Sequence, residues 1–260
     1  MPTASMKWLR YGLGALVAAI SLVALTTWLF LPRQGVFIAS TAIWILLLIL
    51  LYRFFKKKVE WKEQLVAISI ITPITSSGLV SVIEVPLLRW VVIALVCVLL
   101  GFLYGSGIAG ETPWFTGKPY RRFVTMTWVF NVYAGMSFLF ALITFFHSPV
   151  LFWIAVTAAG LFSGFIAFMI WRLYFDPLLP PTIIWAIILT LIIVELTWVV
   201  HFLPLGYSVT AFFITWIWYL MQLFIRFHLN RGIEWRKQLR FVVANSVLCI
   251  LLFVLYARWV

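Results

Sequence analysis

Glu195 is the residue of this sequence whose type and position are best suited to chemistry inside a membrane. It is a carboxylate well inside a long apolar stretch, between Val194 and Leu196. Ionisable residues at membrane depth are costly, usually face protein or water, and often mark ion or proton paths. We therefore expect Glu195 to face the protein interior, within reach of a polar group from another helix. Two roles stay open: a step in a proton path, or a neutral carboxyl that packs helices together.

A second candidate is the polar segment 72–78, Thr-Pro-Ile-Thr-Ser-Ser-Gly, near the middle of another apolar stretch. Proline removes a backbone donor and glycine adds backbone freedom, which favours an ordinary proline kink whose neighbouring hydroxyl groups satisfy the backbone. The alternative is a broken helix, the place where many transporters bind solute. A buried amide such as that of Asn131 more often joins helices than binds a ligand. With Glu195, the candidate intramembrane polar site comprises Asn131, Pro73, Thr75, Ser76 and Ser77.

Two Gly-x-x-x-Gly pairs, Gly101 with Gly105 and Gly160 with Gly164, are typical of faces where helices pack closely. Ser163 lies inside the second pair, but no histidine lies at membrane depth to activate it. We therefore predict helix contacts here and not an intramembrane serine protease.

The elements that must position these residues are membrane-spanning helices. The chain is 65% apolar and 10% charged, whereas soluble domains average about 25% charged residues. The apolar runs are continuous and do not alternate, so they predict an all-α polytopic bundle and exclude a barrel. Nine runs approach or exceed the roughly 20 residues that cross a bilayer. They are 11–31, 36–53, 64–83, 87–106, 123–146, 149–174, 182–203, 207–226 and 241–257, within one integral membrane domain, 1–260.

The basic residues predict the orientation of these spans. Sixteen of the 19 Lys and Arg residues fall in every second gap, and only Arg33, Arg89 and Arg258 fall on the other side. Basic residues favour the cytoplasmic side, which places the amino terminus inside and the carboxyl terminus outside. The net charge of +12 is carried by these inner segments, where anionic lipid headgroups attract it, so nucleic acid is excluded as a partner. Short connections favour a bacterial cytoplasmic membrane.

Polar residues toward the outer ends of the spans form a further group. Two histidines and an acid could in principle bind a metal or shuttle protons. No histidine pair has the i, i+4 spacing, and no His-Glu-x-x-His motif occurs, so we predict no metal, no cofactor and no catalytic residue. This outer group comprises Glu84, Arg89, His147 and His201.

The sequence repeats itself over about 172 to 174 residues. The block Val59–Leu65 recurs as Ile233–Leu239, and the Phe-Leu-Pro motif ending at Pro32 recurs ending at Pro204. The first to third spans would match the seventh to ninth in the same direction, a parallel 3+3 repeat. The shared Glu-Trp-basic block starts a helix at the interface or docks a partner. Candidate inner lipid-headgroup or partner contacts are Lys56, Lys57, Lys58, Trp61, Arg231, Trp235, Arg236 and Lys237.

The stretch from Glu195 through Trp198 to Phe202 and Tyr207 resembles a motif in uncharacterised multi-pass bacterial membrane proteins. The resemblance covers the last third of the chain and implies no activity. Three function classes remain. A non-catalytic membrane subunit or scaffold, bound to a membrane-protein partner, agrees best with the lack of catalytic motifs and the basic inner segments. A solute or lipid transporter would use Glu195 and the broken third span, and a lipid-acting enzyme would use Glu195 or the histidines.

Overall fold

The computed structural model describes residues 4–31, 33–55, 62–107, 118–175, 179–203, 205–229, 239, 242–247, 250, 251 and 254. Within these residues there are eight long helices and no strand, which confirms the predicted all-α bundle. The helices are α1 (Ala4–Phe30), α2 (Gln34–Phe55), α3 (Lys62–Val82), α4 (Pro86–Gly107), α5 (Lys118–Phe146), α6 (Pro149–Tyr174), α7 (Leu179–Val200) and α8 (Tyr207–Leu229).

All eight helices are long and apolar enough to cross a membrane, so the chain is a multi-pass membrane protein. Their membrane-capable parts agree with the first eight predicted spans to within three residues at every end. The described residues from 239 to 254 are helical and overlap the ninth predicted span. Pro32, Pro204, residues 59–61 of the first copy of the block and residues 233–238 of the second lie outside the described residues, so the 3+3 repeat stays a prediction.

The chain divides into two compact units, Met1–Asn131 and Val132–Val260, and the division falls inside α5. In the first unit, α1 packs on α2, α2 on α3, α3 on α4 and α4 on α1, so the four helices close a ring. In the second unit, α6, α7 and α8 all pack on one another. The prediction of one integral membrane domain stays a prediction.

Glycines set the closest helix contact in each unit. A Cβ built on Gly14 of α1 would lie 2.8 Å from the backbone oxygen of Gly101 of α4, and a Cβ on Gly101 would lie 2.8 Å from the oxygen of Gly14. In the second unit, a Cβ on Gly164 of α6 would lie 3.0 Å from the backbone oxygen of Ala186 of α7. The expectation that both Gly-x-x-x-Gly pairs are helix-contact faces is confirmed.

Four fully buried tryptophans form much of the core, and each donates its indole N–H to an acceptor on another helix. A buried indole needs such an acceptor, because an unpaired N–H away from water is costly. Trp44 donates to Ser21 Oγ at 3.1 Å and Trp128 to Gln64 Oε1 at 2.8 Å. In the second unit, Trp171 donates to the backbone oxygen of Gln222 at 3.3 Å and Trp218 to that of Ser163 at 3.1 Å.

Candidate functional site

The predicted intramembrane polar residues of the third and fifth spans come together in the first unit. Asn131 of α5 is fully buried, and its side-chain amide bonds two hydroxyl groups of α3. Thr75 Oγ1 donates to Asn131 Oδ1 at 2.8 Å, and Asn131 Nδ2 donates to Thr72 Oγ1 at 3.0 Å. Both amide ends are therefore paired with α3, which is the arrangement of an interhelical hydrogen bond.

The same polar face of α3 continues in both directions along the helix. Toward one end, the Ser69 hydroxyl bonds the Tyr104 hydroxyl of α4, which also donates to the backbone oxygen of Leu48 in α2 at 3.0 Å. Toward the other end, Thr41 of α2 donates to Ser77 Oγ at 3.2 Å. The buried hydroxyl groups of α3 thus join it to α2, α4 and α5.

Pro73 does not break the third span. Helix α3 runs without interruption from Lys62 to Val82, with Pro73 buried inside it. The alternative of a broken helix is therefore wrong, because the helix continues through the proline. The Thr75 hydroxyl lies 3.0 Å from the backbone oxygen of Ile71 and shares its one proton between that oxygen and Asn131 Oδ1, and Ser76 Oγ donates to the backbone oxygen of Thr72. The backbone oxygen that loses its helical donor at Pro73 is that of Ser69, four residues earlier, so these hydroxyl bonds are additional to the helical bonds of α3.

The cavity that reaches this polar face at Ser77 is too small for a solute. The cavity that reaches Ser77 is lined also by Ser40 of α2 and Leu25 of α1, and its volume is about 10 Å³. That is the lower limit for one water molecule, about 10–15 Å³. The polar residues of α3 and α5 therefore bond mainly to one another and join the two helices.

Glu195 lies in the second unit. It is exposed on the surface of α7, and no hydrogen bond joins its carboxyl to another described residue. The expectation that Glu195 faces the interior near a polar group is wrong. Helix α7 is apolar around most of its circumference, so hydrophobic periodicity does not orient it. Glu195 lies five residues before Val200, about 8 Å along the helix from that end.

The contact of α7 with α6 decides which side of α7 is buried. Gly160 and Gly164 of α6 contact α7 closely, at Thr190 and at the backbone oxygen of Ala186. This contact turns residues 186, 190 and 193 inward and leaves Glu195 on the opposite side. The exposed large apolar side chains that share its side of α7 are Ile184, Ile187, Ile188, Leu191, Trp198 and Val199.

The outer polar residues are not gathered into a site within either unit. In the first unit, Glu84 is exposed, and Arg89 donates from Nε to the backbone oxygen of Ile83 at 3.1 Å, which ties the start of α4 to the end of α3. In the second unit, His147 and His201 are both exposed. Among the described residues, no three His, Cys, Asp or Glu side chains are grouped to hold a metal ion.

Each outer histidine has a local structural role. His147 has a φ of 44°, and it turns the chain between α5 and α6. The αL conformation is several-fold commoner for histidine than for most residues with a Cβ. The His201 ring lies 4.7 Å from the ring of Phe152 in α6, so it packs the end of α7 against the start of α6. The inner candidates Lys56, Lys57, Lys58, Trp61, Arg231, Trp235, Arg236 and Lys237 all lie outside the described residues.

Gln222 is a polar residue that sequence reasoning missed. It lies in α8 with its side chain fully buried, and neither its amide nitrogen nor its amide oxygen has a hydrogen-bond partner in the structure. The hydroxyls of Thr215 and Thr197 in the same unit are buried and unpartnered as well. The signal that identified Asn131, an amide inside an apolar stretch, would have identified Gln222 too.

Comparisons of the chain with protein-family models, with curated proteins and with solved structures found no match. The geometry of the molecule itself therefore carries the functional argument.

Proposed function

We propose that this chain is a non-catalytic subunit of a membrane complex, and that it binds a transmembrane helix of another protein through the face of α7 that carries Glu195. The membrane is proposed to be a bacterial cytoplasmic membrane. The observation that carries the proposal is the exposure of Glu195 beside Leu191 and Trp198, within a helix long enough to span the bilayer.

A carboxyl in this position is unfavourable unless something covers it. An ionised acid at a helix centre costs about 2.5–3.5 kcal/mol on insertion scales, and a neutral carboxyl without a partner loses about 1–3 kcal/mol. Placement about 8 Å from the end of α7 lowers the first cost without removing it. A neighbouring helix with a hydrogen-bond donor at that depth removes most of both costs. The partner residue is accordingly an arginine, lysine, histidine, asparagine or glutamine.

A second copy of the chain is a poorer partner than another protein. Of the described Arg, Lys, His, Asn and Gln residues in the outer half of the predicted spans, Arg89 lies nearest in depth, three residues inside α4. Its guanidinium already donates to the backbone oxygen of Ile83 through two nitrogens. It would have to give up those bonds to reach Glu195 of another copy.

Site-specific photocrosslinking in the native membrane tests this proposal. A photoreactive residue at Leu191 or Trp198, which flank Glu195, should yield a discrete protein adduct. The same residue at Phe165, exposed on α6, should not. Glu195→Leu should reduce the adduct at least fivefold, whereas Glu195→Gln, which keeps a hydrogen bond, should retain it. Ile184→Leu on the same side of α7 is the matched control and should change nothing.

The identity of the adduct decides the outcome. Mass spectrometry should find a protein whose spanning helix carries one of the named donor residues at the depth of Glu195. Adducts with lipid alone, an adduct with a second copy of this chain, or an adduct that forms equally well in Glu195→Leu would each contradict the proposal.

A solute transporter is the second candidate, and the unpartnered amide of Gln222 favours it. Buried polar atoms without partners are often served by unseen water or a ligand. Proteoliposomes that contain a pH-sensitive dye would detect a proton path through the second unit. Proton flux above that of empty liposomes, and its loss in Gln222→Met, would support transport. Equal flux with and without the protein would count against it.

A further inference from the structure

The first unit has a lateral groove between α1 and α2. It has a volume of about 530 Å³ and runs from Thr27 and Val36 near one membrane face to Ala19 and Leu47 at mid-membrane. From Val36 to Leu47, eleven residues along α2, the groove extends about 16 Å. That is close to half the thickness of the bilayer hydrocarbon, about 15 Å.

The groove wall presents few polar groups, although it includes a threonine and a serine. Thr27 Oγ1 donates to the backbone oxygen of Val23 at 2.7 Å, and Ser40 Oγ donates to that of Phe37 at 3.1 Å. Both hydroxyl groups are therefore occupied by their own helices. The wall offers hydrocarbon contacts and few groups that would bind a polar solute, so the occupant is a hydrocarbon chain.

Contacts between α1 and α2 hold the walls of the groove in place. Trp44 donates to Ser21 Oγ across the two helices at 3.1 Å, and the rings of Trp28 and Phe37 meet edge to face at 5.6 Å.

A basic residue lies at the mouth of the groove. Arg33 connects α1 to α2, one helical turn before Val36, and it is exposed. Its backbone oxygen accepts from the N–H of Phe37 at 3.0 Å, which fixes the chain at this end. Among the described residues, no carboxylate pairs with its guanidinium. A guanidinium at a membrane surface attracts anionic headgroups and binds phosphate well.

We propose that the groove between α1 and α2 binds one anionic phospholipid, with an acyl chain along the groove and the headgroup phosphate on Arg33. The positive charge of Arg33 favours an anionic headgroup, and the length of the groove suits an acyl chain. This site is separate from the basic residues predicted to contact headgroups at the inner face, and it is independent of the α7 face.

Native mass spectrometry of the purified chain tests the site, with phosphatidylglycerol and phosphatidylcholine of identical acyl chains as probes. The wild type should retain one lipid and prefer phosphatidylglycerol about fivefold, the effect of one basic contact. Arg33→Gln should abolish the preference while phosphatidylcholine binding stays the same. Ala39→Trp, which fills the groove, should lower retention of both lipids at least tenfold. Ala39→Leu fills less space and should lower it by a smaller factor.

Ala42→Trp is the matched control, because Ala42 is exposed on the same helix but does not line the groove. It should bind lipid as the wild type does. Equal effects of Ala39→Trp and Ala42→Trp, or a preference for phosphatidylglycerol that survives in Arg33→Gln, would overturn the proposal. Competition by glycerol phosphate would indicate a phosphate site without a bound chain. Release of a polypeptide, and not of a lipid, in Ala39→Trp would indicate a protein occupant. Either result would overturn it as well.

Discussion

The buried amides of Asn131 and Gln222 show how differently one side-chain type can behave in two units of the same chain. Asn131 has an acceptor and a donor on α3, and both of its amide ends are used. The side-chain amide of Gln222 has neither a donor nor an acceptor as partner. Only the backbone oxygen of this residue accepts a hydrogen bond, from the indole N–H of Trp171. The first amide stabilises helix packing, whereas the second is a cost that packing alone does not explain.

Asn131→Leu should destabilise the protein by about 1–2 kcal/mol, because it removes two hydrogen bonds between α5 and α3. In this variant the Thr75 hydroxyl can donate fully to the backbone oxygen of Ile71, 3.0 Å away, which limits the loss. Thr144→Val is the matched control on the same helix, since the exposed Thr144 hydroxyl bonds only the backbone oxygen of Phe140. Unfolding free energies measured in detergent would check the difference. Equal stability of the two variants would show that the Asn131 bonds contribute nothing net.

Gln222→Met should stabilise the protein, whereas Asn131→Leu should destabilise it. Methionine has nearly the same shape as glutamine but no polar atoms, so the change removes the cost of an unpaired buried amide, about 1–3 kcal/mol. We expect a higher midpoint of thermal unfolding than in the wild type. A lower midpoint would mean that the amide is satisfied in the membrane by water or a ligand, and it would strengthen the transporter candidate.

Helix positions along the chain were predictable from sequence, but helix rotations were not. Span ends follow from where continuous apolar runs stop, so the first eight spans agree with the structure. Rotation can be predicted only when one face differs from the other. Helix α7 is apolar nearly all round, and the contact of Gly164 with the backbone at Ala186 decides which side is buried. The sequence therefore identified Glu195 as unusual but placed its side chain on the wrong side.

The close contact of α1 with α4 makes a testable prediction about glycine. Gly14→Ala should destabilise the protein by about 1–3 kcal/mol, because the new methyl group would meet the backbone of Gly101 and separate the helices. Gly12→Ala lies two residues away on the same helix, and its Cβ would meet nothing within 4 Å. It should be neutral or stabilising by up to about 1 kcal/mol, the difference in helix propensity. Effects of the same sign in both variants would contradict the packing argument.

At the scale of the whole molecule, the buried polar groups and the exposed features indicate different roles. The buried polar groups of α3 bond to neighbouring helices, and the cavity beside them is about 10 Å³. The features that call for a partner lie on lipid-facing surfaces: the groove beside Arg33 in the first unit and the carboxyl of Glu195 in the second. This distribution is what led us to propose a membrane subunit that binds lipid and another helix.

The orientation of the molecule in the membrane is tested by two exposed arginines at opposite ends of their spans. Arg33 joins α1 to α2 and Arg122 lies near the start of α5. The sixteen-to-three division of basic residues places Arg33 outside and Arg122 inside. In a chain with Cys97 and Cys249 replaced by alanine, a membrane-impermeant maleimide should label Arg33→Cys in intact cells and Arg122→Cys only after permeabilisation. The reverse pattern would invert the orientation. Labelling of both residues in intact cells would place them on the same side of the membrane. That result would contradict three spans between them, although α2, α3 and α4 are each long enough to cross the membrane.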